Sequence, residues 1–427
     1  MPRKKGRGRA ILGAGARTLG RGLLRVVTRS DAGKHWAKVG EDWFATLGEL
    51  KGAAMKLGQL VSQYQDLLPP QLAEQLVKLQ ATAEPLPWAE IEPLLDQYWQ
   101  PEQRAQVVRI EPQALASASI GQVHRATLAD GSEVVIKLQY PGVAEAVDAD
   151  VSNLGRILRL AGVLPLDKAA LDGVLGEVRS RLREEVNYSL ERERLEQFRP
   201  LAQPHGILVP ETVPALCGPR LLALAHEAGS SATEARAWPQ AIRNQIGAQL
   251  VDWLIAQVFE HGLLHADPHP GNFAFRESGE ILLYDFGCVK QIRPREQQLM
   301  ADVVAHALNR DWAGIYACLG EIGSLSQPQR PMSTAIQRVI ESQAESFFEA
   351  LLTEPHFDFR DRSVIPRARL AVKQALPHWR AFKPVPELAF VARTLSGSYW
   401  LLRSLGAEVD LKSRFERIAR DYASIKR

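Results

Sequence analysis

The residues best equipped for chemistry in this 427-residue chain lie in His265-Ala266-Asp267-Pro268-His269-Pro270-Gly271-Asn272 and, a few residues on, Ile281-Leu282-Leu283-Tyr284-Asp285-Phe286-Gly287. A carboxylate such as Asp267 can orient a hydroxyl and take its proton, while the amide oxygen of Asn272 and the carboxylate of Asp285 are hard donors suited to Mg2+ held against phosphates. Such a set works by positioning and charge neutralisation, so few residues suffice. The same loop contains a rival chemistry, because His265, Asp267 and His269 alternate and a His-x-Asp-x-His run can bind a transition metal in a hydrolase. That rival leaves Lys137 and the Asp-Phe-Gly unexplained, and the two histidines are read instead as orienting the loop through hydrogen bonds. Lys137 sits in Val134-Val135-Ile136-Lys137-Leu138-Gln139, opposite Ile136 and Leu138 by alternation. A lysine in an apolar strand needs a counter-charge or an anionic ligand, unless it guards a sheet edge.

These groups need elements to place them. Residues 107–111, 122–128 and 133–139 are short and β-branched, and Asp130-Gly131 between the last two signals a hairpin. Ahead of the hairpin, Ala114-Leu115-Ala116-Ser117-Ala118-Ser119-Ile120-Gly121-Gln122 is a run of small residues whose backbone amides could approach a polyphosphate. A helical stretch over about 168–198 offers Glu185 and Glu191 as partners for Lys137. From residue 293 onward, helical patterns alternate with proline breaks. Upstream, residues 36–80 keep helical spacing up to Pro69-Pro70, with a second helix beginning near Gln71. The quartet Lys56-Leu57-Gly58-Gln59 in that stretch reads by spacing alone as helix surface.

Composition sets the outer bounds. Apolar residues make up 46% and charged residues 24%, the range of folded globular chains, and the length suits two or three domains. Cys217, Cys288 and Cys318 form no Cys-x-x-Cys pair, which excludes a disulfide framework and a four-thiolate zinc site and fits a reducing compartment. No run of about 18 residues is apolar and uncharged, so no membrane span is expected. The net charge of +3 hides nine Lys or Arg in residues 1–30, leaving 43 basic against 49 acidic residues elsewhere. Nucleic-acid binding is therefore not expected from the charge. Arg17, Arg21, Arg25 and Arg29 recur every four residues beside an apolar arc, so a helical tail could rest on an anionic membrane surface. A solvated tail and an organellar targeting peptide are the other readings of it.

The order of Asp267, Asn272 and the Asp285-Phe286-Gly287 strand end resembles that of kinase-type phosphotransferases, and the Lys137 strand resembles their Val-Ala-Ile-Lys strand. The likeness to one family is closer. Lys56-Leu57-Gly58-Gln59 with Leu67-Leu68-Pro69-Pro70, Ala118-Ser119-Ile120-Gly121-Gln122-Val123-His124, the stretch 137–143, His265 to Asn272 and Asp285 to Gly287 resemble the UbiB (AarF-related) family of atypical kinase-like proteins of ubiquinone and isoprenoid lipid metabolism. The resemblance implies an α+β, two-lobed protein-kinase-like fold with an all-helical N-terminal extension. Residues 1–30 would be the tail, 31–100 the extension, 101–225 the strand-rich lobe and 226–427 the helical lobe.

The resemblance also implies roles. Lys56 and Gln59 would come from an extension folded over the active site, disfavouring protein substrates. Ala116, Ser117, Ala118 and Ser119 would replace a glycine-rich nucleotide loop, and Lys137 would contact the α and β phosphates with Glu191 as its partner. Glu185 would help clasp Lys56, Asp267 would be the catalytic aspartate, and Asn272 and Asp285 would ligate Mg2+. ATP with Mg2+ is the implied cofactor, and a small lipid-related molecule the implied substrate. The family's Glu-x-Asp element reads Glu185-Val186-Asn187 here, so the clasp around Lys56 loses a carboxylate. The C-terminal membrane spans of members closest to the bacterial ubiquinone factor are not seen, pointing to a cytoplasmic or peripheral protein. The implied activity is that of a kinase or ATPase, with a nucleotide-gated binding module as the alternative.

Overall fold

The structure, a computed structural model, describes residues 85–118, 120–161, 168–345, 356–383 and 385–424. The tail, nearly all of the helical extension, Lys56, Gln59 and Ser119 lie outside the described residues. The chain divides into two compact units, the first running to Glu193 and including Glu211–His226, the second comprising Arg194–Pro210 and Glu227–Arg427.

The first unit is built on a five-stranded antiparallel sheet. After helices α1 (Trp88–Tyr98) and α2 (Pro101–Arg104) come β1 (Val107–Ile110), β2 (Ala116–Ala118), β3 (Gly121–Leu128), β4 (Glu133–Gln139) and β6 (Leu221–Ala225). The order is β1-β3-β4-β6, with β2 pairing with β3. Strand β4 is therefore flanked on both sides, with Lys137 opposite Val123 of β3 and Leu222 of β6. That placement overturns the edge-guard reading of Lys137, since β4 has no free edge to protect. Alternation sends Val134, Ile136 and Leu138 into the core and Lys137 to the other face. Helices α3 (Val143–Ala161) and α4 (Lys168–Glu185) complete this unit, and α5 (Tyr188–Ala202) starts in it. The helical stretch expected over about 168–198 is made of two helices, because Asn187 ends one and caps the next: its side-chain oxygen accepts from the Leu190 amide at 3.3 Å.

The second unit is mainly helical, with short strands that carry loops. Strand β5 (Ile207–Leu208) pairs in parallel with β9 (Ile281–Leu283), which pairs antiparallel with β8 (Phe273–Phe275). The pairing of β5 explains why Arg194–Pro210 belongs to this unit, whereas a contiguous 101–225 lobe was expected from the sequence. Helix α6 (Ala232–Ala235) precedes α7 (Gln240–Ile255), which runs into a π turn over Ala256–Glu260. Next come β7 (Leu263–His265) and β10 (Val289–Gln291), an antiparallel pair, then α8 (Pro294–Leu308), α9 (Trp312–Ile322) and α10 (Thr334–Ala344). The remainder is β11 (Phe357–Asp358), α11 (Val364–Ala375), α12 (Pro386–Leu405), β12 (Glu408–Val409) and α13 (Leu411–Asp421). Val258, Leu264, Ala266 and Ile292 form a buried cluster beneath the β7 loop, with Phe390 and Val391 of α12 packed on it. Among the described residues no helix is long and apolar enough to cross a membrane.

Candidate active site

In the first unit, Lys137 projects from the centre of β4 onto the first turn of α5. Its Nζ donates to both carboxylate oxygens of Glu191, at 2.7 and 2.9 Å, and lies 5.1 Å from the centroid of the Tyr188 ring. Glu191 is only 4% exposed and Lys137 14%, so the pair is largely withdrawn from water. Of the two acids that helical spacing offered, the structure joins Lys137 to Glu191, while Glu185 closes α4. The small-residue run is partly strand, since Ala116, Ser117 and Ala118 pair with Val123, Gln122 and Gly121 of β3. Gly121 fits only as glycine. A Cβ there would lie 2.1 Å from the Leu138 carbonyl oxygen, a backbone atom that cannot retreat.

The polar end of that motif has structural employment. Gln122 and His124 are fully buried. The Gln122 side chain accepts from the Leu86 amide at 2.8 Å and donates to the Leu86 carbonyl at 3.3 Å, fixing the chain that leads into α1. His124 donates from Nδ1 to the Glu111 carbonyl at 2.7 Å, so its Nε2 is the acceptor for the Gln122 amide at 2.7 Å. Acceptance at Nε2 requires the neutral ring, and burial pushes its pKa below the usual histidine value, outweighing the raising effect of the Glu111 carbonyl bond.

In the second unit, one loop and one strand end bring Asp267, Asn272 and Asp285 forward. Asp267 follows β7, Asn272 ends the 3-10 turn Pro270–Asn272 just before β8, and Asp285 stands two residues after β9. The Asn272 amide nitrogen donates to the Asp267 carbonyl at 2.9 Å and to its Oδ2 at 3.2 Å, which leaves the amide oxygen as the outward acceptor. Asp285 Oδ1 accepts from the Gly287 amide at 2.8 Å, while His265 Nε2 donates to the Asp285 carbonyl at 2.7 Å. Burial holds His265 below its ordinary pKa, outweighing the raising effects of the Asp285 carbonyl bond and the Asp267 and Asp285 charges. Phe286 is fully buried against Phe198 and His265, and Arg194 donates to the Gly287 carbonyl at 2.9 Å. The Asp-Phe-Gly turn is therefore held at every residue. His269 Nδ1 accepts from the Gly271 amide at 3.1 Å, so both loop histidines serve as positioners, as the hydrogen-bonding reading anticipates.

Arg393 belongs to none of the sequence motifs, yet it reaches the site. Its guanidinium donates to Asp267 Oδ1 at 2.6 Å from helix α12. Gly397, one turn further along α12, makes this approach possible: a Cβ there would stand 2.3 Å from Pro268 Cγ. A lone arginine among apolar helical residues needs an acidic partner, and that was the available signal.

Residues 78–319 match the ABC1 atypical kinase-like domain. The chain is 29% identical to the mitochondrial atypical kinase coq-8 of Caenorhabditis elegans over 388 residues, 88% of this chain and 50% of that protein. It is 29% identical to the mitochondrial atypical kinase COQ8 of Schizosaccharomyces pombe over 88% of this chain and 62% of the relative. The chain thus spans about half to three fifths of these relatives' length. A solved structure, the complex of Rv3197 with erythromycin from Mycobacterium tuberculosis, superimposes with a TM-score of 0.62 at 26% identity, covering 90% of this chain and 95% of that one.

Proposed function

The chain belongs to the ABC1 atypical kinase-like family, and on that premise we propose that it is an UbiB-type atypical kinase or ATPase that binds ATP with Mg2+. It hydrolyses the nucleotide or phosphorylates a small, lipid-related molecule, in support of ubiquinone or isoprenoid lipid metabolism. The observation that carries this reading is the buried Lys137–Glu191 pair inside a domain of this family. An ammonium kept in a fixed rotamer by a carboxylate is suited to the α and β phosphates. Ala116, Ser117, Ala118 and Ser119 supply backbone amides to the same nucleotide, and Lys56, Gln59 and Glu185 shape the approach to it.

Magnesium fits the residues present. Asn272 and Asp285 offer oxygen donors, and the hydrogen bonds of the Asn272 nitrogen turn its oxygen outward. When bound, the ion neutralises phosphate charge. Asp267, held by Asn272 and Arg393, orients the attacking hydroxyl or water and receives its proton. The basic tail brings the chain to an anionic membrane surface.

The alternative, a nucleotide-gated binding module, draws on one observation: both carboxylate oxygens of Asp267 are already engaged, Oδ1 by Arg393 and Oδ2 by Asn272. ADP production measured with Mg2+, anionic vesicles and quinone-precursor phenols tests both readings. Turnover in the native chain that falls at least 100-fold in Asp285→Asn supports catalysis; equal rates in the two refute it. Arg393→Met is expected to lower turnover at least tenfold while nucleotide affinity stays within threefold. A rise in turnover would make the ion pair a brake and favour the binding module.

A further inference from the structure

Outside the loops just described, His205, Glu260 and His261 bring their ligand atoms within 4.8 Å of one another. Their convergence comes from two distant stretches of the second unit: His205 ends the 3-10 turn after α5, and Glu260 and His261 close the π turn after α7. Each histidine is followed by a glycine with positive φ, Gly206 at 72° and Gly262 at 61°, so the chain reverses directly after each ligand. π turns inside or at the end of α-helices are frequent at functional sites.

The surroundings hold the three groups in place. The Trp253 ring packs on both imidazoles, with centroids 5.3 Å from His205 and 6.0 Å from His261. The Tyr422 hydroxyl donates to Glu260 Oε1 at 3.0 Å, the type of outer hydrogen bond that aims a ligating carboxylate. His261 Nε2 is shielded from solvent and has no hydrogen-bond partner among the described residues, an arrangement costly for a polar nitrogen that nothing binds. Glu260 is exposed, which gives an ion a way in.

We propose that His205, Glu260 and His261 form a binding site for a divalent transition-metal ion, zinc by preference. Two imidazoles and one carboxylate are borderline donors that suit zinc and its neighbours, whereas Mg2+ and Ca2+ take oxygen ligands. Metal–ligand bonds of about 2.0–2.2 Å put tetrahedral ligand atoms roughly 3.4 Å apart, so rotations of exposed Glu260 and half-buried His205 close the cluster. The fourth position goes to water. The ion clamps the turn after α5 to the end of α7, a structural role independent of nucleotide chemistry.

The test uses the full chain, stripped with chelator and dialysed against ZnCl2. One equivalent of zinc by elemental analysis is expected, together with a thermal midpoint raised by several degrees. His205→Ala and Glu260→Gln, whose chelated midpoints should match the native protein because these positions are partly exposed, lose at least tenfold in zinc affinity and most of the midpoint shift. Tyr422→Phe weakens binding less. Absence of bound zinc in the folded native chain overturns the site. So does zinc that persists in both variants, or zinc that disappears only in His269→Ala, which would transfer the metal to the other loop.

Discussion

The Lys137–Glu191 pair allows a quantitative test of how the first unit is held. At about 2.8 Å and an effective dielectric near 20, the attraction is roughly 6 kcal/mol, offset for the most part by the cost of taking both charges out of water. Removing one partner leaves the other's cost uncompensated. With Glu191 only 4% and Lys137 14% exposed, Glu191→Gln or Lys137→Met should each destabilise by about 3 kcal/mol, at the lower end for a buried pair because Lys137 keeps some water. In a cooperative unit of about 200 residues that amounts to roughly 6–12 °C in thermal midpoint. The double variant leaves no stranded charge and should cost about 1 kcal/mol, so the cycle gives a coupling of several kcal/mol. Thermal and urea unfolding, followed by circular dichroism without nucleotide, measure all four proteins. Single costs below about 1 kcal/mol, or costs that simply add, would show that the pair is solvated and that burial does not fix the lysine.

Two further expectations follow from the geometry. His124 and His265 are buried neutral, with pKa values below the ordinary value near 6.5, so between the folded and unfolded pKa the unfolded chain binds more protons. Their contribution is complete above about pH 6.5 and is lost as pH falls below it, by up to about 1.4 kcal/mol per pH unit for each ring. A urea midpoint unchanged from pH 7.5 to 5.5 would contradict this. Gly397→Ala should cost about 1–3 kcal/mol through overpacking on Pro268, and moving α12 away from the loop should reproduce the turnover loss of Arg393→Met; wild-type stability and turnover in this variant would refute the close approach.

Local chemistry explains which features were readable in advance. Strands 107–111, 122–128 and 133–139 are visible because alternation and an Asp-Gly turn act over a few residues, and the structure begins and ends them within one residue. Asp267 and Asn272 share one loop, so their spacing encodes their proximity. The break at Asn187 was not legible, since a capping asparagine within two helical patterns looks like a surface residue until its side chain is seen bonding the Leu190 amide.

What the amino-acid order by itself determined was the inventory: a lysine in an apolar strand, a stiff proline loop with a carboxylate and an amide, a strand ending in Asp-Phe-Gly, and a basic tail. Tertiary structure decided the partners. Glu191 stands 54 residues from Lys137, Arg393 stands 126 from Asp267, and His205 meets Glu260 and His261 across more than fifty residues. Many acids and bases in this chain could satisfy each need equally well on paper. Only packing, which removes particular pairs from water together and leaves the remainder solvated, selects among them.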